Sequence, residues 1–395
     1  MSTIPDTLGW LFSFQKLFSL FNLKFKNQNP FKKAFLLVLN RIPLFVFNIQ
    51  ASFDVYATLS FAVFNMGFDN SRTAFVTSIL NIFFSKISFI FLTIYLAIHR
   101  KNHLKLIQAG LGFESKVSLV FGKDFSTKRK HLRKWFNFQS IFIPVYKSIC
   151  SYMLLNVVND VMPVDWLTIL WYGFVICQQS TLDLTAYYIM GYINLFMHSL
   201  ESFDVINLSG ELQIKTLDVI EDFIRHIRQI NSLFAICFMD ELGYKMLEAC
   251  SIFFYLFIIF SDLPIHIMQY LKLFLICCFL WIFGAIYTIF RIAHTGEKYQ
   301  DNMNNLFRNL TLCYKESDQR KGSRDCVDMN IKYFLLRHLH EPNRISLGRD
   351  IHVNLNMLYV VITVLVSNIM ILIQFKLFED FQRMEATTFN VKVPT

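Results

Sequence analysis

The sequence predicts an all-α polytopic membrane protein with seven transmembrane helices, a cytoplasmic amino terminus and an extracellular carboxyl terminus. Three observations predict it: an apolar composition, seven apolar runs of membrane-spanning length, and an uneven distribution of Lys and Arg between alternate connections. Of the 395 residues, 54% are hydrophobic and 44 are Phe. A soluble domain averages about 45–50% apolar residues, so this excess indicates contact with lipid.

Seven apolar spans divide the chain. The first, 34–64, is interrupted by Arg41, Pro43 and Asp54. An α-helix rises ~1.5 Å per residue, so about 20 residues cross a hydrocarbon core of about 30 Å. The later spans are close to or beyond that length, and the fourth and fifth are predicted to project out of the bilayer. These later spans are 74–99, 136–158, 166–200, 242–260, 273–290 and 355–375.

The basic residues predict the orientation of the spans. Lys and Arg are concentrated before the first span and in the connections after the second, fourth and sixth spans, as in the run Lys128-Arg129-Lys130. The connection after the first span holds only Arg72. Basic connections stay in the cytoplasm, so the amino terminus is predicted inside and the carboxyl terminus outside.

Two segments outside the spans have amphipathic helical spacing. In the amino-terminal segment, aromatic and aliphatic residues interleave with Ser, Gln and Lys, which predicts a helix lying in the membrane interface. Its apolar positions are Leu11, Phe12, Phe14, Phe18 and Phe21. Residues 214–230 place Ile and Leu opposite charged residues, which predicts a cytoplasmic helix that continues into the fifth span.

Several classes of chemistry are not favoured by the sequence. None of the eight Cys lies in a short connection that we place outside, so no disulfide framework is predicted. No Cys and His spacing favours a metal site, and no nucleophile, base and acid fall into a catalytic arrangement. We therefore predict no enzyme activity, no cofactor and no metal. The basic clusters flank apolar spans, which favours contact with membrane lipids over a nucleic-acid partner.

The last span carries no formal charge, yet its polar residues share one face. An amide near the end of a helix surrounded by lipid would lack a partner, so this face is predicted to meet water or another subunit. The alternative is a hydrogen bond between helices and an aromatic ring in lipid. The face recurs at spacings of three and four and consists of Val364, Ser367, Asn368, Ile371, Gln374 and Phe375.

The end of this span resembles the carboxyl-terminal signature of the insect gustatory receptor family. That signature is Thr-Tyr, five apolar residues and Gln-Phe. Here Ser367-Asn368 precede Ile-Met-Ile-Leu-Ile and then Gln374-Phe375. The stretch ISLGRDIHVNLNML entering the span also resembles the family. Ser for Thr is a mild change, whereas Asn368 stands where the family has a Tyr ring.

The resemblance implies a function. It implies a gustatory-type chemoreceptor in the plasma membrane, built as a homo- or heterotetramer of related subunits. Each subunit would contribute to a ligand-gated, non-selective cation channel that detects small molecules. Four copies of the last helix would surround one pore, with Ile371, Gln374 and Phe375 at the gate near the external face. An inner amino terminus is the family's arrangement, and the charge distribution predicts it independently.

This assignment divides the chain into five parts. Residues 1–33 are a cytoplasmic amino-terminal segment, and 34–293 hold spans one to six with cytoplasmic helical extensions around a ligand pocket. Residues 294–350 are a cytoplasmic anchor region, 351–376 the pore-lining helix and 377–395 an extracellular tail.

The family's ligand pockets lie among the outer halves of spans two to six, which selects a set of candidates. For each ring, the alternative is an interfacial aromatic belt or ordinary helix packing. The candidate ligand contacts are Trp166, Trp171, Tyr172, Tyr146, Tyr152, Lys147, Phe254 and Tyr255.

Charged residues inside the spans form a second candidate set. Such residues face a bundle interior, where they form ion pairs, or a water-filled cavity. They are Asp54, Lys86, Lys147, Asp183 and Glu248.

Three other functions are compatible with seven spans. A metabotropic seven-helix receptor would have an external amino terminus. A divergent family member that does not conduct would serve as an accessory subunit, which the Asn368 change favours. A transporter would show saturable flux, and the chain lacks the broken helices and inverted repeat that favour one.

Overall fold

The computed structural model describes residues 4–17, 30–65, 72–121, 126–161, 165–200, 210–262, 272–319, 325–338, 344–347 and 351–391. These residues are almost entirely helical. The helices are α1 Ile4–Leu17, α2 Pro30–Asn65, α3 Arg72–Ile98, α4 Arg100–Phe121, α5 Ser126–Val161, α6 Trp166–Leu200, α7 Gly210–Asp262, α8 Lys272–Gln319, α9 Asp325–His338 and α10 Leu355–Val391. A small antiparallel hairpin, β1 Ser346–Leu347 and β2 Ile351–His352, precedes α10.

The predicted all-α polytopic fold is confirmed, and each of the seven apolar spans lies in one helix, except that the second span ends one residue after α3, at His99. In order, the spans lie in α2, α3, α5, α6, α7, α8 and α10. Five of the described helices contain stretches long and apolar enough to cross a membrane: Arg41–Ser60, Arg72–Ile98, Ile214–Ser261, Lys272–Leu312 and Leu355–Glu385. The orientation of the two termini stays a prediction.

The remaining two spans, α5 and α6, are long but less apolar. Polar side chains are buried on both helices, among them Gln139 and Lys147 on α5 and Gln178 and Asp183 on α6. These side chains face neighbouring helices, where hydrogen bonds and ion pairs compensate for the loss of water. Both helices also have exposed apolar side chains, so one face of each meets neighbouring helices and the other lies on the outer surface of the bundle.

The hydrophobic core is densest where the long helices extend beyond the predicted membrane-spanning region. As the sequence predicts, α7 is continuous from the amphipathic segment into the fifth span, and Val219, Ile220 and Phe223 on it are fully buried. Tyr188 and Phe196 of α6 are buried in the same cluster. This cluster joins α4, the second half of α6, the first half of α7 and the second half of α8.

The amino-terminal helix differs from its prediction as an interfacial helix. Leu8 and Leu11 have no solvent exposure, because α1 packs against α5 and α6. Gln15 Nε2 donates a hydrogen bond to Thr185 Oγ1 at 3.0 Å. The amphipathic face is as predicted, but a groove between helices covers it instead of lipid. The predicted positions Phe18 and Phe21 lie outside the described residues.

The last helix continues beyond the predicted end of the pore segment. α10 runs to Val391, so the boundary predicted between 376 and 377 falls inside one helix. Lys376 Nζ lies 2.6 Å from Asp380 Oδ1 across that boundary. Glu379 Oε1 accepts a hydrogen bond from the Arg72 backbone N–H at 2.6 Å, which caps the start of α3. The first part of the predicted tail is therefore ordered helix.

Candidate ligand cavity and pore helix

A cavity of about 310 Å³ lies between α3, α5, α6, α7 and α8. Its aromatic walls are Trp171 and Tyr172 from α6, Tyr244 and Tyr255 from α7, and Phe274 and Trp281 from α8. Ligand pockets are mostly apolar and aromatic, with a few polar groups that fix orientation. The polar lining residues are Asn81, Ser85, Lys86, Ser151, Gln179 and Glu248.

Two polar atoms at the cavity wall have no hydrogen-bond partner among the described residues. They are Trp281 Nε1 and Gln179 Oε1, and both atoms are buried. The indole N–H only donates, and the amide oxygen only accepts. A buried polar atom without a partner costs about 1–3 kcal/mol, so a ligand that pairs with either atom gains affinity by relieving that cost. A ligand hydroxyl both accepts and donates, which suits this pair.

One side of the cavity is held by an ion pair between α2 and α3. Lys86 Nζ lies 2.7 Å from Asp54 Oδ2 and 2.6 Å from Gln178 Oε1. Trp171 Nε1 donates to Asp54 Oδ1 at 3.0 Å, so the pair also fixes this ring of the cavity wall. For charges inside the spans, the sequence predicted either ion pairs in the bundle or contact with a cavity. Asp54 and Lys86 form an ion pair, and Lys86 also lines the cavity.

A second charge cluster joins α5, α6 and α7 behind the opposite wall. Lys245 Nζ lies 2.7 Å from Asp183 Oδ1 and 2.9 Å from Glu248 Oε2. Lys147 Nζ lies 3.5 Å from both Asp183 and Glu248. Tyr244 donates its hydroxyl to Glu248 Oε1 at 3.2 Å. Removing one member of such a buried network leaves uncompensated charge.

The structure brings together only part of the predicted ligand set. Trp171, Tyr172 and Tyr255 line the cavity. Lys147 lies behind the wall, with its ammonium 5.7 Å from the centre of the Trp281 ring. Phe254 is fully buried and does not line the cavity.

The other three predicted rings lie elsewhere on the bundle. Trp166 and Tyr152 are 70% and 65% exposed, as expected of an outer aromatic belt. Tyr146 donates a hydrogen bond to the Leu280 carbonyl and also lies outside the cavity lining.

Sequence reasoning missed three aromatic rings and two amides that line the cavity. The rings are Tyr244, Phe274 and Trp281, and the amides are Asn81 and Gln179. Trp281 is the single Trp of the sixth span, which was a usable signal. Tyr244 lies four residues before Glu248, so the two side chains share one helix face. Because Glu248 is a charged residue inside a span, it could have directed attention to Tyr244.

The predicted pore face of α10 is exposed in the single chain. α10 packs on α7, α8 and α3 through a narrow stripe that includes Met357, Val361 and Leu365. None of the six predicted positions lies in this stripe. All are exposed: Val364, Ser367, Asn368, Ile371, Gln374 and Phe375.

A small contact connects the cavity to α10. Ala249 of α7, Ala285 of α8 and Leu365 of α10 are buried against one another. Ala249 follows the cavity residue Glu248, and Ala285 lies one helical turn beyond Trp281. The two alanines therefore place α10 next to the helical turns that carry the cavity residues.

A model of the 7tm chemosensory receptor family matches residues 8–379. The chain belongs to this family. The match covers nearly all of the described helices, including α10 and its polar face. It confirms the chemoreceptor resemblance that the Gln374-Phe375 signature indicated.

Two solved structures have a fold similar to that of this chemosensory receptor. The insect olfactory receptor OR5 from Machilis hrabei in complex with eugenol is 14% identical, with a TM-score of 0.64. The alignment covers 92% of this chain and 97% of that one. The OR5 structure without the ligand gives a TM-score of 0.62 over the same coverage. At this identity the likeness shows the fold alone. No curated protein matches the receptor's sequence.

Proposed function

We propose that the receptor is a subunit of a ligand-gated, non-selective cation channel of the gustatory type, located in the plasma membrane. The family membership supports chemoreception, the cavity supports binding of a small molecule, and the exposed face of α10 supports a pore. The last of these observations carries the proposal. A long apolar helix with an exposed stripe of Ser, Asn and Gln has little reason to face lipid, because amides in hydrocarbon lack partners.

Four copies around an axis would cover this stripe. A closed ring presents the same face of every subunit to the centre, so one stripe per chain lines the whole pore. Ile371 and Phe375 would then form apolar rings that close the pore by excluding water. Gln374, between them, would supply amide groups to a passing hydrated cation. The partners are related receptor subunits, in a homo- or heterotetramer.

The proposed ligand is a small molecule with an aromatic or aliphatic body and a hydroxyl group. The ring-lined cavity suits the body, and Trp281 Nε1 with Gln179 Oε1 suits the hydroxyl. Ligand entry would displace Glu248 or Trp281, and the contact of Ala249, Ala285 and Leu365 would move α10. A ligand shifts the gate only if it binds the open state more tightly than the closed one.

Current recording tests the proposal. The receptor is expressed in cells lacking related subunits and screened with small hydroxyl-bearing compounds. We expect cation currents that Gln374→Ala alters in amplitude or selectivity. Val366→Ala is the matched control, because Val366 is exposed on the other flank of α10. A Gln374→Ala variant with wild-type currents would contradict the gate.

A second candidate function is a non-conducting accessory subunit. Asn368 stands where the resembling signature has Tyr, and its side chain is exposed on the proposed pore face. Loss of that ring removes packing area that the other family members have. This function predicts no current from the receptor alone and an altered current when it is expressed with a conducting relative.

A further inference from the structure

A second concavity lies on the outer surface, between α2 and α3, and is separate from the ligand cavity. Its volume is about 680 Å³. Phe45 and Ile49 of α2 and Ile94 and Ile98 of α3 line it, and each is at least half exposed. The groove therefore has apolar walls along the part of α2 and α3 that is apolar enough to cross a membrane.

Two arginines close one end of this groove. Arg41 lies at the start of the apolar stretch of α2, and Arg100 begins α4 directly after α3. Neither forms an ion pair with any residue that the structure describes. Arg100 Nε is buried without a hydrogen-bond partner in the same residues.

The electrostatics of this end are unfavourable without an anion. Burial lowers the pKa of Arg100, and the positive charge of the nearby Arg41 lowers it further. Arg41 is exposed and Arg100 is partly buried, and their like charges repel each other. A bound anion would relieve that repulsion. Arginine presents a planar fork of donors that matches phosphate oxygens.

We propose that this groove binds one anionic phospholipid, with its phosphate between Arg41 and Arg100 and an acyl chain along the apolar walls. The dimensions fit this occupant. The groove follows α2 from Arg41 to Ser52, which spans roughly 16 Å at ~1.5 Å per residue. One leaflet of the hydrocarbon core is about half of 30 Å. The proposal does not depend on whether the receptor conducts ions.

Lipid specificity tests this proposal. The full chain is reconstituted in nanodiscs of phosphatidylcholine that contain phosphatidylserine, released in mild detergent and analysed by native mass spectrometry. We expect phosphatidylserine to be retained in preference to phosphatidylcholine. Each arginine near an anionic headgroup contributes a factor of about five, so Arg41→Gln with Arg100→Gln lowers that preference roughly 25-fold.

Matched variants separate the groove from general surface charge. Lys101→Gln with Arg133→Gln removes two exposed basic residues outside the groove, and we expect it to leave retention at the wild-type level. Ala97→Phe fills the groove without changing charge, and we expect it to reduce retention. Ala109→Phe is its control on α4, outside the groove. Each variant is first checked for a wild-type elution profile in size-exclusion chromatography.

Three results would overturn the proposal. The first is unchanged retention in the double arginine variant or in Ala97→Phe. The second is displacement of the lipid by excess inorganic phosphate, which would mean a site for free anions. The third concerns the double arginine variant: if its oligomeric state changes while its lipid retention does not, a second copy of the chain occupies the groove.

Discussion

At the scale of single residues, buried charge in this receptor is balanced by protein partners. Lys245, Asp183 and Glu248 are almost completely buried, and Lys245 Nζ lies within 3 Å of both carboxylates. Such a cluster gains little stability as a whole, because removing ions from water costs about as much as the pairing returns. Removing one member is far more costly than removing a balanced pair.

We expect Lys245→Met to destabilise the receptor by about 3–5 kcal/mol, because Asp183 and Glu248 lose their nearest cation. The measurement is the thermal midpoint by fluorescence-detected size-exclusion chromatography. Lys101→Met, at an exposed position, is the control. The double variant Lys245→Met with Glu248→Gln recovers part of the loss if the cluster is responsible, since Lys147 then pairs with Asp183. Equal midpoints for Lys245→Met and Lys101→Met would refute this reasoning.

A buried histidine outside the spans predicts a dependence of stability on pH. His103 on α4 is buried, with its Nε2 2.9 Å from the Tyr188 hydroxyl. Burial lowers the pKa of His103 from 6.5 to about 3. Between these values the unfolded chain binds the extra proton and the folded chain does not. Stability is therefore complete above pH 6.5 and falls as the pH is lowered toward 3.

We expect His103→Gln to reduce this pH dependence by up to about 1.4 kcal/mol per pH unit, because the variant has no proton to take up on unfolding. The free energy of unfolding is compared between pH 7, above the usual His pKa, and pH 5, where the unfolded chain binds the extra proton. His131→Gln, at an exposed histidine, should keep the wild-type slope. A His103→Gln slope equal to that of the wild type would show that other groups control the pH dependence.

At the scale of elements, α10 is held by a few close contacts near its start. The Val353 backbone donates to the Ile345 carbonyl at 2.8 Å, and the Leu355 N–H donates to Glu297 Oε2 at 3.1 Å. Next to Glu297, Gly296 of α8 lies so close to the Val353 carbonyl that an added Cβ would overlap it. Small size at this position allows the hairpin and the start of α10 to approach α8.

We expect Gly296→Ala to destabilise the receptor by about 1–3 kcal/mol, because the backbone of Val353 must move. Gly243→Ala is the matched control, since a Cβ there meets no other atom within 4 Å. A Gly→Ala change inside a helix without a clash stabilises it by roughly 0.5–1 kcal/mol. The two variants should therefore shift the thermal midpoint in opposite directions. A shift in the same direction would mean that Val353 relaxes easily.

At the scale of the whole molecule, the helices form a bundle with polar networks between helices and exposed apolar side chains on the outer faces of the helices. Exposed apolar side chains occur on α2, α3, α5, α8 and α10, whereas buried ion pairs join α2 to α3 and join α5, α6 and α7. This division is the one expected of a bundle surrounded by lipid, because lipid covers apolar surface and provides no hydrogen bonds. It does not depend on which end faces the cytoplasm.

We expect an epitope tag at the carboxyl terminus to be reachable in intact cells and one at the amino terminus only after permeabilisation, since basic connections remain in the cytoplasm. The measurement is antibody binding with and without detergent. Asn309, in a glycosylation sequon on α8, should carry no glycan for the same reason. An external amino-terminal tag would instead favour a metabotropic receptor.

The sequence by itself determined the number and position of the spans, the continuity of α7 and the polar face of α10. These features depend on local periodicity and on a length set by the thickness of the bilayer, both of which a single chain displays in order. The family signature at Gln374-Phe375 is local in the same sense. The fold was therefore largely predictable from the sequence. The ligand contacts were less so, because five of the eight predicted residues lie outside the cavity lining.

Only the tertiary structure decided which side chains meet. Gln15 pairs with Thr185, Trp171 with Asp54 and Lys147 with Glu248, across 170, 117 and 101 positions of sequence. Such pairs depend on the rotation and tilt of each helix against its neighbours, which helical spacing does not specify. The burial of α1, the lining of the cavity and the two arginines at the end of the groove between α2 and α3 all follow from that packing.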